Sequence, residues 1–229
     1  SRSGSWPARA WRSSAVPGSP EDLVRAAAAA GVGDRRVLEA LRRVPRELFV
    51  PPERAAEAYL DRPVPIPHGQ VTTQPSLVAR MVEALGLGGE ERVLEIGTGY
   101  GFQTALLARL CAFVWSVERH PDVAEAARQN LSRHGVSNAR VVVGDGTRGL
   151  PGEAPFDAIL VSAAFTRVPE PLARQLAPGG RLVQPVGPGG EEEVVLFEKG
   201  RDGALVRRAG ISGARFVRLY GDYGFEPPP

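Results

Sequence analysis

Apolar residues follow two rhythms along this chain. Short runs rich in Val, Ile, Leu and aromatic residues fall at 93–96, 113–117, 140–143 and 156–161. Between them apolar residues recur every three or four positions, as at 105–110 and 121–134. The first pattern predicts buried strands and the second amphipathic helices, and their alternation predicts a parallel sheet in an α/β fold. Upstream, Ser19-Pro20-Glu21-Asp22 has the form of a capped helix start, and the alanine run behind it ends at Gly31. A second helix starts at Asp34, with Val37, Leu38 and Leu41 on one face, and Pro45 stops it. A third starts at Pro75, buries Leu77, Val78, Met81, Val82 and Leu85, and ends by Gly86 or Gly88. Residues 44–74 carry repeated prolines, which force extended backbone and predict an ordered segment wrapping the domain. Beyond the fourth strand the pattern predicts a helix at 169–176 and a break at Pro178-Gly179-Gly180. Three strand-like runs follow, at 181–185, 194–198 and 214–219. The expected organisation is a flexible arm over 1–18, where Trp6 and Trp11 could dock, and helices with the wrapping segment over 19–90. A nucleotide-binding sheet over 91–220 and an irregular tail over 221–229 complete it.

The most informative stretch is Glu95-Ile96-Gly97-Thr98-Gly99-Tyr100-Gly101-Phe102-Gln103-Thr104-Ala105. Strand, glycine turn, helix is the opening of a nucleotide-binding unit. A dinucleotide fingerprint needs its third glycine three residues after the second; here that position is Phe102 and the third glycine is Gly101. Glu95, at the mouth of the strand, would repel a pyrophosphate. About 20 residues on, the next strand ends in Glu118, where such folds place an acid against ribose hydroxyls. Two acids around a Gly-x-Gly-x-Gly turn suit a cationic nucleoside, and S-adenosylmethionine carries a sulfonium and an ammonium but no phosphate. The expected cofactor site is therefore Glu95, Gly97, Thr98, Gly99, Gly101 and Glu118. Asp145 and Gly146, at the end of the third strand, are placed against the adenine, and no metal is expected.

Composition narrows the remaining classes. Twenty-eight basic against 26 acidic residues give a net charge of +2, and the arginines are scattered, which argues against a nucleic-acid partner. No apolar run reaches the length of a membrane span, and Cys111, the only cysteine, cannot form an intrachain disulfide. The expectation is a cytoplasmic monomer with no membrane partner.

The loop after the fourth strand reads Ser162-Ala163-Ala164-Phe165-Thr166 and lacks the Asn/Asp-Pro-Pro-aromatic run used to methylate amines. His68, His120 and His134 lie elsewhere in sequence. A site without an evident base suits a nucleophile that is already anionic, and a carboxylate, with an unperturbed pKa of about 4, meets that condition. The helix start at Thr72-Thr73-Gln74 is the candidate carboxylate clamp.

These residues resemble the protein-L-isoaspartate O-methyltransferases. The resemblance runs from about Val37 to Leu219. Its most specific pieces are Val44-Pro45-Arg46-Glu47, Phe49-Val50-Pro51, Ala58-Tyr59-Leu60-Asp61-Arg62-Pro63, Gly69-Gln70 and Gln74-Pro75. Gly97-Thr98-Gly99, Gln103-Thr104-Ala105, Gly144-Asp145-Gly146, Pro178-Gly179-Gly180 and Arg215-Phe216-Val217 also match. It implies a Rossmann-like seven-stranded methyltransferase sheet that uses S-adenosyl-L-methionine and leaves S-adenosyl-L-homocysteine. The implied substrate is the α-carboxyl of L-isoaspartyl residues in damaged proteins, whose ester closes to a succinimide that can reopen as aspartate. The resemblance places Thr73 at the substrate carboxylate as the catalytic hydroxyl and Thr72 beside the cofactor. Asp61, Ala164, Phe165 and Val217 go to the substrate side. Three departures from the family pattern stand out: Thr73 stands for a serine, Phe165-Thr166 for small residues with a proline, and Arg218 for a proline. They leave open an alternative, a carboxyl methyltransferase of the same fold dedicated to one peptide or small-molecule acid.

Overall fold

The computed structural model describes residues 18–226, so the expected N-terminal arm, with Trp6 and Trp11, lies outside the described residues except for Gly18. Helix α1 (Pro20–Ala29) starts as its sequence predicts: the Asp22 carboxylate accepts the Ser19 backbone N–H at 2.8 Å. In α2 (Arg35–Arg43) the Asp34 side chain caps the first turn by accepting from the Arg36 N–H at 2.7 Å. A hairpin of β1 (Val64–Ile66) and β2 (Gln70–Thr72) leads into α3 (Pro75–Ala84).

The sheet then forms from β3 (Arg92–Ile96), β4 (Phe113–Glu118), β5 (Ala139–Val143) and β6 (Phe156–Val161), with α4 (Phe102–Ala108) and α5 (Pro121–Arg133) as the first two crossovers. Helix α6 (Glu170–Gln175) precedes β7 (Leu176–Val186), β8 (Glu192–Lys199) and β9 (Leu205–Ala214). The seven-stranded order is β5-β4-β3-β6-β7-β8-β9, parallel from β5 to β7 and antiparallel across the last two pairings. Alternation within strands divides the core. Val93, Ala158 and Leu160 face the layer of α1 to α5, while Leu94, Ile96, Ile159 and Val161 face α6 and the C-terminal segment. Among the described residues no helix is long and apolar enough to cross a membrane.

Two expectations need correction. The wrapping segment is not uniformly extended: it holds two 3-10 turns, Arg46–Phe49 and Pro52–Glu57, as well as the hairpin. Pro52 opens the second turn, where its fixed φ suits a helical start and its missing N–H is not needed. The last strand is β9, not 214–219. As a solvent-exposed edge strand it carries no apolar alternation for sequence to reveal, and its Arg207 and Arg208 pair across to Glu193 and Glu198. Residues 216–219 instead run beside the loop after β6, where the Ala164 N–H donates to Val217 O and the Leu219 N–H donates to Ala164 O, both at 2.7 Å. The described part of the tail turns back so that Phe225 meets the Phe165 ring edge-on at 5.0 Å.

Arg46 holds the wrapping segment together. Its side chain is fully buried, and its guanidinium donates to the carbonyls of Ala58, Leu60, Arg62 and Thr73 and to the Thr72 hydroxyl. Burial lowers its pKa to about 10, which leaves it charged at neutral pH. The planar fork serves five acceptors from two separate stretches, 58–62 and 72–73, at once, which a lysine ammonium cannot do. Replacing Arg46 with Met is therefore expected to cost roughly 3 kcal/mol or more, because several buried carbonyls lose their donor. Urea denaturation measures this; a loss under about 1 kcal/mol would deny Arg46 that role.

Candidate active site

Ile96 pairs with Val117 on one side and Val161 on the other, so β3, β4 and β6 end at one level. The chain moves outward from β3 to β5 and then returns to β6 on the opposite flank of β3, so the loops after β3 and β6 diverge and leave a crevice. Its floor is closed by backbone: the Gly97 N–H donates to Val117 O and the Ser162 N–H to Ile96 O, each at 2.9 Å. Gly97, Gly99 and Gly101 sit at φ +93°, +54° and +93°, a region that side-chain-bearing residues rarely occupy. At Gly146 a Cβ would come within 2.4 Å of Ile96 Cγ2, so only glycine lets that loop lie against the strand end.

The resulting cleft has a volume of about 920 Å³, its open mouth included. It brings together Thr72, Thr73, Gly97, Thr98, Gly99, Glu118, Gly146 and Val217 from the residues the sequence nominated. Arg218, one of the departures from the family pattern, also lines it. Glu118 is nearly buried; one oxygen accepts the Gly99 N–H at 3.0 Å and the other the His120 N–H at 3.1 Å. A carboxylate has about four lone-pair sites, so Glu118 keeps capacity for two hydroxyls. Ile96, Val117, Leu219 and Tyr220 supply apolar wall suited to a purine.

Glu95 does not reach this cleft. It has no solvent exposure, and its oxygens accept from Gln103 Nε2 at 2.9 Å, Ser116 Oγ at 2.6 Å and the Thr104 hydroxyl. Burial raises its pKa to about 7 against the opposing effect of these donors. Its part is to hold β3, α4 and β4 around the glycine turn. Gln103 carries the link outward: its Nε2 also donates to Ser162 Oγ at 2.9 Å, while its Oε1 is buried without a partner and the residue lines the cleft. Sequence reading quoted Gln103 within the motif but assigned it nothing, because spacing alone does not reveal an unpaired amide oxygen.

The structure keeps five further nominated residues off the cleft wall. Gly101 lies beneath the turn as the cap of α4. One oxygen of Asp145 accepts the Thr147 N–H and hydroxyl, and the other accepts the Asp222 N–H at 2.9 Å. Burial pushes the Asp145 pKa up, but these hydrogen bonds hold it below its ordinary value. Asp61 caps α3 from a distance, accepting the Ser76 N–H and hydroxyl and Gln74 Nε2, each at 2.8 Å. That helix start is therefore occupied by a side chain of the protein itself. Ala164 acts through its backbone alone and is fully buried, and Phe165 packs on Phe225, so neither meets the cleft. Thr73 does, and its hydroxyl has no hydrogen-bond partner among the described residues.

A seven-stranded, mostly parallel sheet with a glycine turn after its first strand and an acid at the end of the next defines the Rossmann-like methyltransferases, which use S-adenosylmethionine. Within that class the chain belongs to the protein-L-isoaspartate(D-aspartate) O-methyltransferase family, whose model matches residues 19–223. A protein-L-isoaspartate O-methyltransferase of Methanoculleus marisnigri is 53% identical over 198 residues, 86% of this chain and 89% of its own length. Its counterpart in Anaeromyxobacter dehalogenans is 55% identical over 191 residues, 82% of this chain and 91% of the relative. Among solved structures, a protein-L-isoaspartate O-methyltransferase superposes with a TM-score of 0.78 at 32% identity, covering 90% of this chain and 67% of that one. A Plasmodium falciparum protein solved with S-adenosyl-L-homocysteine has the same fold, with a TM-score of 0.73 at 22% identity over 89% of this chain and 99% of that one.

Glu95 generates a pH-dependent prediction. Its folded pKa of about 7 exceeds the ordinary 4.5, so ionising it costs stability. The penalty is absent below pH 4.5, grows between pH 4.5 and 7, and stays constant above, reaching on the order of 3 kcal/mol. Glu95→Gln cannot ionise. Its stability relative to the unmodified protein should therefore improve from pH 5 to pH 8, as read by urea denaturation at both. An unchanged difference would mean that Glu95 titrates normally.

Proposed function

We propose that the chain methylates the α-carboxylate of L-isoaspartyl residues in damaged polypeptides, with S-adenosylmethionine in the cleft and Thr73 at the incoming carboxylate. When bound, S-adenosylmethionine supplies an electrophilic methyl group on a sulfonium. The residues fit it: Glu118 keeps acceptor capacity for two ribose hydroxyls, and the turn at Gly97 and Gly99 admits close approach. Glu95 and Asp145 enter the proposal as positioning acids, the first for the glycine turn and the second for the Gly146 loop.

The observation that carries the reading, beside family membership, is the position of Thr73. It lines the cofactor cleft and also the groove beyond it, so a carboxylate entering by the groove meets its hydroxyl at the boundary. A carboxylate is anionic at neutral pH and needs no base. The contribution of the protein is alignment and exclusion of water, with reacting atoms held at about 3 to 3.5 Å. Thr73 donates its O–H to the carboxylate; Thr72 is fixed by Arg46 Nη2 at 2.8 Å and keeps its own O–H to donate. Of the three departures from the family pattern, Thr73 and Arg218 line the cleft while Phe165 does not, which narrows the case for a different acid substrate. Cys111 is buried, and burial raises its thiol pKa to about 12, so it takes no part; a monomeric cytoplasmic protein completes the proposal.

A paired assay tests the reading: an isoaspartyl peptide should gain a base-labile methyl ester and its aspartyl twin should not. Transfer to neither, with turnover on an unrelated carboxylic acid, would favour the dedicated-acid alternative. Thr73→Ala should lower kcat/KM by roughly 10- to 100-fold through loss of a hydrogen bond to a charged group, with cofactor affinity within about twofold. Glu118→Ala should raise the cofactor Kd by a similar factor in calorimetry. The opposite pattern would reverse the two roles.

A further inference from the structure

A second groove of about 940 Å³, its open mouth included, lies beyond the Thr73 wall, between α3, the hairpin and the segment after β9. Val71, Thr73, Ser162 and Val217 line both it and the cofactor cleft, so the two spaces meet where the carboxylate is proposed to react. A polypeptide held at that junction leaves adjacent residues in the groove, since consecutive Cα atoms are about 3.8 Å apart.

The charge in this groove has one sign. Arg80 and Arg215 line it, and no carboxylate does. The Arg80 guanidinium donates to the Ile211 carbonyl, which ties α3 to β9 and fixes the charge in place. Arg215 is exposed and forms no ion pair with any described residue. Two acids stand behind the wall rather than on it: Asp61 accepts from Ser76 and Gln74, and Glu192 accepts the Phe216 N–H at 2.8 Å. On the groove wall itself the two cations have no acid beside them.

We infer that Arg80 and Arg215 determine specificity, favouring isoaspartyl polypeptides with a carboxylate side chain within two residues of the target; this rests on the methyl-transfer reading above. Two arginines facing an otherwise uncharged wall attract a flanking Asp or Glu and repel a flanking Lys. Solvent-exposed pairs are weak and salt-screened, so the preference is a modest one in KM.

The test uses the full chain with S-adenosylmethionine and a series of isoaspartyl peptides. They carry Ala, Glu or Lys at the two positions before the target or at the two after it. The Glu peptides of at least one side should show a KM roughly two- to fivefold below the Ala peptide, and the Lys peptides a higher one. The spread should shrink in 0.5 M salt, roughly where the screening length falls to 4 Å. Arg215→Glu should invert the order and Arg215→Gln should flatten it, with calorimetry of cofactor binding reporting that each variant is folded. Equal KM values across flanks in the unmodified protein, or an unaltered order in folded Arg215→Glu and Arg80→Gln, overturn the inference while leaving the methyl-transfer reading intact. Absence of transfer to every isoaspartyl peptide overturns both.

Discussion

The buried carboxyl of Glu95 is the constraint on which the cofactor side of this molecule depends. It stands on β3, receives Gln103 and Thr104 from α4, and receives Ser116 from β4. Ser116 in turn meets the Thr98 hydroxyl at 2.6 Å, inside the glycine turn. One group therefore fixes two strands, a helix and the loop between them. A carboxyl without solvent is costly unless hydrogen-bonded, and the cost ties three elements to a single arrangement. The glycine turn can then stay open, because the polar network beneath it is not free to relax.

Arg46 does the corresponding work on the substrate side. The wrapping segment has little regular structure of its own, and its carbonyls would be unsatisfied where it is buried. By donating to acceptors spread over residues 58–73, the guanidinium turns a proline-rich loop into a rigid wall. That wall ends at Thr72 and Thr73, between the cofactor cleft and the arginine-lined groove. The two buried ionisable groups thus divide the site: the acid shapes the bed for a cationic nucleoside, and the base shapes the partition across which an anion meets it. The C-terminal segment completes the partition from the other side, since Val217 reaches both spaces while its neighbour Ala164 contributes only backbone pairing.

Much of this was legible in the residues. The strands at the centre of the sheet declare themselves by continuous apolar runs because helices cover both faces, and the caps of α1 and α2 lie where Ser19 and Asp34 predict them. β9 was not legible: an edge strand with both faces near solvent has no apolar rhythm to distinguish it from loop. Glu118 lines the cleft, whereas Glu95, at the end of the neighbouring strand, does not. The two sit at comparable points of comparable strands, and only packing decides that one carboxylate opens on the cleft while the other is enclosed by α4. Asp61 and Asp145 were nominated for ligands, but each is engaged by nearby backbone N–H groups and side chains. Phe165 looked like a change at the substrate until Phe225, from the far end of the chain, proved to be its partner.

By itself, then, the order of residues determined the alternation of strands and helices, the glycine turn and the acid that ends the strand at Glu118, since these follow from periodicity and from local backbone chemistry; the part proposed for Thr73 rested on the family resemblance. Which acids face the cleft, which arginine lies inside and which line the groove were decided only when distant segments came together. Hydrogen-bond partners for a buried polar group are set by proximity in space, and linear spacing does not encode which of several candidates arrives first.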